Sequence, residues 1–421
     1  MNPPASPVER VIGLDAHPDS FTAAVLRGPT PAAAITEKLF NKVPIAQLEK
    51  WARQHLGERD LVVLEASGNS FHLARTLHAA GLRASVLESC HLGKLKETHA
   101  NNDKISAVRI AKAYLAGTAK IVWIPDPKTQ DRRDLFHHHR KIVKRTTQTT
   151  NRLRSFLSDQ GVRLGVGFDL DFTDASAEAL HQLHPWTARQ RQILDGLLLE
   201  GRQARELREH WSSVIALEVA SDPVLLSLVR LTGIRDIVAF ALGACIGDIH
   251  RFCDPKKLVK YVGLNPAFDD SGEGTWSGGI GGHGNKPLRA LLMEAAQSIL
   301  RSPSHALAKW GRKLLARKGA YNLVVAAIAR RLVVSIWYLL MGRAEPVEQI
   351  DSPLRAKLGK IAAKVAAPVL NRLGTDRKLL RRDMERSLQQ GRDYVLQPRG
   401  TKVRSHSTSA TSPATVVEAQ A

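Results

Sequence analysis

The sequence has 421 residues and a formal net charge of +21 at pH 7, because 61 lysines and arginines face 40 aspartates and glutamates. Hydrophobic residues make up 43% of the chain, which suffices for packed cores in roughly two or three domains and excludes a wholly disordered protein. Its three cysteines include no CxxC pair, which excludes a disulfide scaffold and a zinc knuckle. Because there is also no secretory leader, we expect a reducing, cytoplasmic compartment.

The longest apolar run, residues 323–341, is interrupted by Arg330 and Arg331. We therefore expect a soluble protein with no membrane partner. A strong positive charge attracts polyanions, and nucleic acid is the commonest such partner of a cytosolic protein. A ribosome-associated protein or a chromatin packer would carry the same excess, usually in low-complexity tails. Here the basic residues lie in segments with apolar periodicity, so a folded part binds the polyanion.

Short strands alternate with helices over residues 8–127, the first predicted domain. Two β-type runs, 8–14 and 21–27, predict a hairpin with Asp15 at its rim. The following elements are a helix at 45–56, a strand at 60–65, a helix at 69–80, a strand at 84–87, a helix at 104–116 and a strand at 120–123. This alternation predicts a mixed α/β domain.

Two long helical segments, 129–157 and 187–219, follow within a predicted basic arm at 128–222. They lack sustained apolar heptads, so we expect a helical arm or hairpin rather than a coiled coil. The basic side chains can form a solvated face or contact nucleic acid, and both interpretations stay open. The candidate nucleic-acid contacts are Arg132, Arg133, Arg140, Lys141, Lys144 and Arg145.

The remainder divides into a compact, mostly helical domain at 223–345, a basic helical extension at 346–396 and a tail at 397–421. The tail is rich in Ser, Thr, Ala and Pro without periodicity, so we predict that it is disordered. The predicted fold class is therefore α/β followed by α.

Three acids fall at element ends: Asp15 after the first strand, Glu65 at the end of a later strand, and Asp103 ahead of a helix. Carboxylates that converge from such positions can form an oxygen-rich cage for Mg²⁺ or Mn²⁺, and two ions can stabilise the entering and leaving oxygens of a phosphoryl transfer. Alternatively, each acid is a cap or turn residue, Asp103 above all, because Asp is a favoured N-cap.

Two further segments are candidates for phosphate chemistry. Gly233 opens an Ala-rich helix, where free backbone N–H groups can bind phosphate in a helix-hairpin-helix-like element; a tight connection is the alternative. The Gly-rich segment 263–284 contains Ser271, which could attack phosphorus if an acid or base handles its proton. The cations that would balance the phosphate are His283, Lys286 and Arg289. Such loops are also common as simple connectors.

Two sets of motifs in order make the chain resemble a known family. The first half contains Val-Ile-Gly-Leu-Asp15, Leu-Val-Val-Leu-Glu65-Ala-Ser-Gly and Asn-Asn-Asp103-Lys-Ile-Ser106. The second contains Leu-Thr-Gly-Ile-Arg, Val-Gly-Leu-Asn-Pro, Asp-Asp-Ser271-Gly and Gly-His-Gly-Asn-Lys-Pro-Leu-Arg289. Together, over roughly residues 10–340, they resemble the DEDD transposases of the insertion-sequence-110 type, which are related to Piv-like DNA invertases.

The resemblance implies a ribonuclease-H-like, junction-resolvase-like first domain whose four acids bind Mg²⁺, and a later domain with a nucleophilic serine. It implies a composite site, usually across the subunits of a homodimer or homotetramer, in which serine forms a covalent phosphoserine with DNA before strand exchange. A structured noncoding RNA can guide such enzymes. By match, Asp15, Glu65 and Asp103 are the first three metal-binding acids and Ser271 is the nucleophile. The resemblance also implies a prokaryotic enzyme that associates with the nucleoid.

One departure from the family pattern concerns the fourth acid, because Ser106 stands where a second aspartate is expected one helical turn after Asp103. A hydroxyl is a weaker, neutral ligand. Ser277 in the same Gly-rich segment is a second candidate nucleophile, although the Ser-Gly context favours Ser271. Two other hypotheses therefore stay open: a junction-resolving nuclease that uses water, and a catalytically impaired relic that binds nucleic acid.

Overall fold

The computed structural model describes residues 8–89, 102–165, 167–271, 274–303, 305–343 and 350–390, without the side chains of 267–278 and 390. The chain divides into two compact units, Met1–Lys128 and Thr129–Ala421. The predicted disordered tail at 397–421 lies outside the described residues, so it stays a prediction.

A six-stranded sheet forms the centre of the first unit, in the order β3-β2-β1-β4-β5-β6. Strands β1 and β4 are parallel, as are β4 and β5, whereas β2, β3 and β6 each run antiparallel to the strand beside them. The strands are β1 (Val11–Ala16), β2 (Ser20–Arg27), β3 (Ile35–Pro44), β4 (Leu61–Glu65), β5 (Arg83–Leu87) and β6 (Ile121–Val122).

Helices cover both faces of this sheet. On one face Ile12 and Leu14 pack in a core with α1 (Leu48–His55) and α2 (Ser70–Ala79). On the other face, Val11 packs with α3 (Asp103–Leu115). Side chains of a strand alternate between the two faces, so a strand covered on both sides is apolar throughout. The predicted mixed α/β architecture is confirmed.

The structure corrects the predicted elements in three places. Strand β3 was not predicted, because it is a mostly exposed edge strand whose polar residues hide the period-two pattern. Asp15 lies inside β1, where it pairs with Thr22, and not at the rim of the hairpin. The N-cap of α3 is Asn102, whose side chain accepts a hydrogen bond from the Lys104 amide, so Asp103 is the first residue of the helix rather than its cap.

Helices dominate the second unit, into which α4 (Pro127–Asp159) leads. They continue as α5 (Asp174–Gln182), α6 (Ala188–Ser221), α7 (Pro223–Leu228), α8 (Asp236–Ile246), α9 (Pro255–Val262), α10 (Lys286–Arg301), α11 (Ala306–Lys318), α12 (Tyr321–Leu340), α13 (Ser352–Lys364), α14 (Ala367–Arg372) and α15 (Arg377–Gln390). Between α9 and α10, β7 (Pro266–Ser271) and β8 (Gly274–Ile280) form an antiparallel pair.

The long helices α4 and α6 form an antiparallel hairpin. Contacts along them run in opposite senses: Arg152 bonds to Glu200, and Thr146 to the Ala204 carbonyl. Nearer the other end, His139 lies 3.1 Å from the hydroxyl of Ser212. The antiparallel hairpin of α4 and α6 is the helical arm that the sequence predicts.

A continuous core joins the base of this arm to the rest of the second unit. It contains Phe136 of α4, Ile215 of α6, and residues of α13 and α15 such as Leu358 and Leu388. By length and composition α12 could cross a membrane, but 56% of its apolar window is buried, and residues such as Leu332 pack in this core. Helix α12 is therefore a core helix of the unit.

Gly13 allows α3 to lie directly against β1. A Cβ atom at Gly13 would stand 1.8 Å from the carbonyl oxygen of Ala107 and 2.9 Å from the amide nitrogen of Ala111. Both atoms belong to helix backbone, which cannot move aside as a flexible side chain can. The absence of a side chain at Gly13 thus sets the distance between strand and helix.

We expect Gly13→Ala to lower the free energy of unfolding of the first unit by about 1–3 kcal/mol or more, because the new methyl group must push α3 away from the sheet. Differential scanning calorimetry of the full chain would measure this as a lower transition temperature. Gly57→Ala is the matched control, since its nearest contact would be an ordinary 3.9 Å from Asp60. Equal transition temperatures for both variants would contradict the account.

Candidate functional site

Two of the predicted acids share the α3 face of the sheet. In β1, Val11 and Gly13 contact the α3 side, and the alternation of side chains assigns Asp15 to the same face. In β4, Leu61 and Val63 belong to the α3 core, which assigns Glu65 to that face as well. Since β1 and β4 are parallel neighbours, both acids lie at the same edge of the sheet.

The structure brings Asp15 and Asp103 together with a residue that sequence reasoning missed, His17. One ligand atom from each lies within 4.8 Å of the others. The His17 Nε2 atom is 3.5 Å from Oδ1 of Asp103 and 4.0 Å from Oδ2 of Asp15. Glu65 ends β4 and is half-buried, but its carboxylate is outside this group of atoms. We name the group Asp15, His17 and Asp103 the acid–histidine cluster.

Burial raises the pKa of Asp15 above its ordinary value, and the nearby charge of Asp103 raises it further. The charges of His17 and Arg109 and a hydrogen bond from Ser106 oppose these effects on the pKa. A carboxylate that is destabilised by burial and by a second carboxylate gains from a cation between them. The donors of the cluster therefore suit a divalent metal.

Ser106, at the position of the expected fourth acid, lies one turn into α3. Its hydroxyl oxygen accepts a hydrogen bond of 3.0 Å from the Arg109 guanidinium. Where a carboxylate would add negative charge, this chain thus has a neutral hydroxyl next to a cation. The cluster is less negative than a set of four carboxylates would be.

The predicted Gly-rich loop is instead a two-stranded hairpin, which corrects the interpretation of that segment as a connector. Ser271 is the last residue of β7 and pairs with Gly274, so its backbone lies at the tip of the hairpin. Ser277 pairs with Phe268 in the middle of the ladder. Glycine is unfavourable in strands on propensity alone, which is why the sequence pattern concealed β7 and β8.

A network of main-chain contacts closes the base of this hairpin. Gly263 and Gly284 both have positive φ, and a Cβ at Gly284 would lie 2.5 Å from the Cα of Gly263. The Arg289 guanidinium donates hydrogen bonds to the carbonyl oxygens of Gly263, Gly281 and His283 at 2.9–3.1 Å. Arg289 therefore positions the hairpin, whereas the predicted Lys286 is exposed at the start of α10.

The predicted basic contacts on α4 separate into two groups. Arg132 bonds to Glu218 and Asp222 at 2.7 and 2.5 Å, and Arg133 donates to the carbonyl oxygens of Ala244 and Cys245. Both guanidinium groups thus have partners inside the unit, and their predicted contact with nucleic acid remains only a prediction. The exposed group consists of Arg140, Lys141, Lys144 and Arg145.

A cleft of about 950 Å³ in the second unit contains Arg140 and the predicted Gly233. The other cations that line the cleft come from segments that are far apart in the sequence. Among the described residues, the side chains of Arg208, Arg235 and Arg301 form no hydrogen bond or ion pair. We name this space the basic cleft; its cations are Arg140, Arg208, Arg235, Arg301, Lys357 and Lys364.

Positive charge in the basic cleft exceeds the negative charge that its walls offer. The buried Asp236 is already paired with Lys364 at 2.5 Å, and the other acid is Glu294. Burial lowers the pKa of Lys357 to about 8, with the charge of Asp351 opposing this shift and the charge of Arg235 contributing to it. Burial likewise lowers the pKa of His139, with Lys364 contributing and Asp236 opposing. A polyanion would compensate these charges.

Comparisons with known proteins agree with this arrangement. The family model of the DEDD transposases of the IS110 type matches residues 12–160, and the model "Transposase IS116/IS110/IS902 family" matches residues 227–310. The first match contains β1, β4 and α3, which carry the acids, and the second contains the hairpin with Ser271.

Curated relatives have the same description. The chain is 25% identical over 282 residues to "Transposase for insertion sequence element IS1111A" of Coxiella burnetii, covering 66% of this chain and 77% of that protein. It is 25% identical over 288 residues to "Transposase for insertion sequence element IS1328" of Yersinia enterocolitica, covering 66% and 82%. Both halves of the chain thus match one family, in the right order: the protein belongs to the IS110-type DEDD transposases, and is an enzyme that acts on DNA.

Proposed function

We propose that this transposase cleaves and rejoins DNA in a reaction that requires a divalent metal, with Ser271 as the nucleophile and a structured noncoding RNA as the guide. The acid–histidine cluster carries the proposal, because it unites two family-matched acids, Asp15 and Asp103, within 4.8 Å. The fold that we propose for the first unit is ribonuclease-H-like. Its strand order, with the antiparallel β3-β2-β1 next to the parallel β4 and β5, supports this.

The cluster suits Mg²⁺ or Mn²⁺, which when bound would polarise a phosphate oxygen and stabilise the charge that develops in the transition state. Asp15 and Asp103 would hold the ion through carboxylate oxygens, and Glu65 lies at the same sheet edge. The α3 N-terminus, where Asp103 lies, favours negative charge through its backbone dipoles.

In the proposed reaction the Ser271 hydroxyl attacks a phosphorus atom of the DNA backbone. A bond forms from the serine oxygen to phosphorus, and the bond from phosphorus to one bridging ester oxygen breaks. The serine proton passes to a base, and the departing oxygen takes up a proton as the free hydroxyl of the other strand end. In strand exchange, the hydroxyl of a different strand attacks the phosphoserine and regenerates the serine.

The hairpin supports Ser271 over Ser277. A nucleophile must reach the phosphodiester, and Ser271 is at the tip of the hairpin whereas Ser277 pairs in the middle of its ladder. The anchoring of the hairpin base by Arg289 would hold the tip in a defined place, as proximity effects require.

We propose further that the basic cleft binds nucleic-acid phosphates, together with the exposed cations of α4. Guanidinium groups without internal partners can form bidentate hydrogen bonds with phosphate oxygens. Contacts with phosphate do not recognise the base sequence, which suits an enzyme whose target is selected by a guide RNA. The complete enzyme would act as a homodimer or homotetramer.

We expect Ser271→Ala and Asp15→Ala each to reduce the formation of circular junctions by at least about a hundredfold, since each removes an essential group. The protein would be expressed with the DNA that flanks its gene, and the joined element ends would be quantified by amplification. Ser277→Ala is the matched control and should leave junction formation near the wild-type level.

Junctions that survive Ser271→Ala but are lost in Ser277→Ala would move the nucleophile to Ser277. Cleaved but unjoined ends that form in both serine variants and need Asp15 would favour water, as in a junction-resolving nuclease. An inactive wild type that still binds nucleic acid would favour the impaired relic, for which the neutral Ser106 beside Arg109 would be the cause.

Arg208→Ala and Arg301→Ala should each weaken binding to a labelled DNA duplex or a structured RNA, and lower the slope of log affinity against log salt by about 1 for each lost phosphate contact. Fluorescence anisotropy over a range of salt concentrations measures this slope. The control is Arg317→Ala on α11, which removes an exposed charge outside the basic cleft. A slope that changes equally in all three variants would contradict a specific role of the cleft.

Arg132→Ala should behave in the opposite way. Because Arg132 is bonded to Glu218 and Asp222, we expect the change to lower the free energy of unfolding by about 1.5–3 kcal/mol, without changing the salt slope of binding. Thermal unfolding and anisotropy on the same preparation test this. A reduced slope with unchanged thermal stability would instead show that Arg132 contacts the nucleic acid.

A further inference from the structure

His17 follows β1 in the turn to β2, and two hydrogen bonds fix its backbone there. Its amide donates to the carbonyl oxygen of Ser20 at 2.8 Å. Its own carbonyl oxygen accepts a hydrogen bond of 2.8 Å from the Asn69 side chain, which lies between β4 and α2. The backbone of His17 is therefore tied to β2 and to the segment that follows β4.

The imidazole ring points its Nε2 atom at the two aspartates. This atom is buried and, within the described part of the chain, has no hydrogen-bond partner, although the ring as a whole is 43% exposed. The distances of 3.5 Å to Asp103 and 4.0 Å to Asp15 are too long for hydrogen bonds. A polar nitrogen shielded from water without a partner is unfavourable, so a species that contacts all three atoms would stabilise this arrangement.

These spacings suit ligands of one cation. In an octahedral site with bonds of about 2.1 Å, adjacent ligand atoms are about 3.0 Å apart and opposite ones about 4.2 Å apart. The distances of 3.5 and 4.0 Å from the His17 Nε2 atom lie within this interval. Neutral imidazole is among the commonest metal ligands in proteins.

We propose that His17 is a ligand of the divalent cation held by Asp15 and Asp103, where it supplies the donor that Ser106 does not, and that the site in consequence prefers Mn²⁺ to Mg²⁺. This inference rests on the proposed metal-dependent function. The preference follows from donor chemistry: Mg²⁺ selects oxygen ligands, whereas imidazole nitrogen binds more strongly along the series of transition metals that begins with Mn²⁺.

Ser106 lies close enough to Asp15 to form a hydrogen bond with it, but a hydroxyl is a weak candidate for the missing donor. It is neutral, and its oxygen already accepts a hydrogen bond from Arg109. The positive charge of that guanidinium also disfavours a cation beside it. Among the described His, Cys, Asp and Glu side chains, His17 is the one grouped with the two aspartates.

The test is a metal titration of the full-length protein stripped of metal. Free Mn²⁺ is measured by its electron paramagnetic resonance signal, and Mg²⁺ affinity by competition. We expect His17→Ala to weaken Mn²⁺ binding at least about tenfold and Mg²⁺ binding by no more than about threefold. His72→Ala is the matched control, because His72 is an exposed histidine of the same unit on α2.

Electron spin echo envelope modulation of the Mn²⁺-loaded protein gives a readout that does not depend on affinity or activity. A coordinated imidazole nitrogen produces ¹⁴N modulation, which we expect in the wild type and in His72→Ala but not in His17→Ala. Modulation that persists in His17→Ala, or is absent from the wild type, would overturn the assignment of His17 as a ligand.

Two further variants distinguish a failure of the proposed metal site from a failure of the assignment of His17 as its ligand. His17→Gln keeps a polar side chain with an oxygen donor, so a folded protein with a lower Mn²⁺ to Mg²⁺ affinity ratio supports the proposal even if His17→Ala is unstable. Asp15→Ala tests the site itself: unchanged Mn²⁺ binding there would refute the proposed metal site. Loss of binding in Asp15→Ala with wild-type binding and modulation in His17→Ala would refute the role of His17 alone.

Adding a carboxylate should reverse the selectivity. Ser106→Asp in the His17→Ala background is expected to restore Mg²⁺ binding to at least the wild-type affinity, since it supplies a hard, charged oxygen donor. An equal gain for Mn²⁺ and Mg²⁺ over the wild type would show that charge, and not the identity of the donor atom, controls the site.

Discussion

The close packing of β1 against α3 is the constraint on which the first unit depends. Gly13 has no side chain to separate them, so the first turn of α3 reaches the end of β1, and Asp103 comes within reach of Asp15 and His17. The absence of a side chain at Gly13, two residues before Asp15, therefore allows the ligand atoms of the cluster to lie close together. A small shift of the helix would separate the carboxylates, because two rigid elements carry them.

Several arginines of the chain bind carbonyl oxygens or acids of the protein itself. Arg289 binds three carbonyl oxygens at the base of the hairpin, Arg330 binds the Leu264 carbonyl, and Arg132 pairs with two acids. Arginine suits this use because its planar donors can satisfy several backbone acceptors at once. The net charge of +21 therefore overstates the charge that faces a ligand. The basic cleft is distinguished by Arg208, Arg235 and Arg301, whose side chains have no such partners among the described residues.

Sequence reasoning succeeded where a local pattern carries the information. Apolar runs and caps predicted β1, β2, β4, α2 and α3 close to their observed bounds. It failed for β3, whose exposed face lacks alternation, and for the Gly-rich hairpin, whose pairing is a tertiary property. The motifs carry Asp15 and Asp103, which the structure brings together. His17 was missed, because the neighbours of a histidine in a turn show only in distances to residues far along the chain. The basic cleft was hidden for the same reason: Arg208, Arg235 and Arg301 come from three separate segments.

The core that joins α13 and α15 to the base of the helical arm bears on the decay of mobile elements. Leu354, Leu358 and Leu388 are buried among residues of the preceding helices, so α13 and α15 are part of the core of the second unit. A gene copy with a premature stop before Leu354 would produce a protein with an open apolar surface, which is prone to aggregation and proteolysis. Loss of these helices would thus silence the transposase even if the acid–histidine cluster and Ser271 were intact.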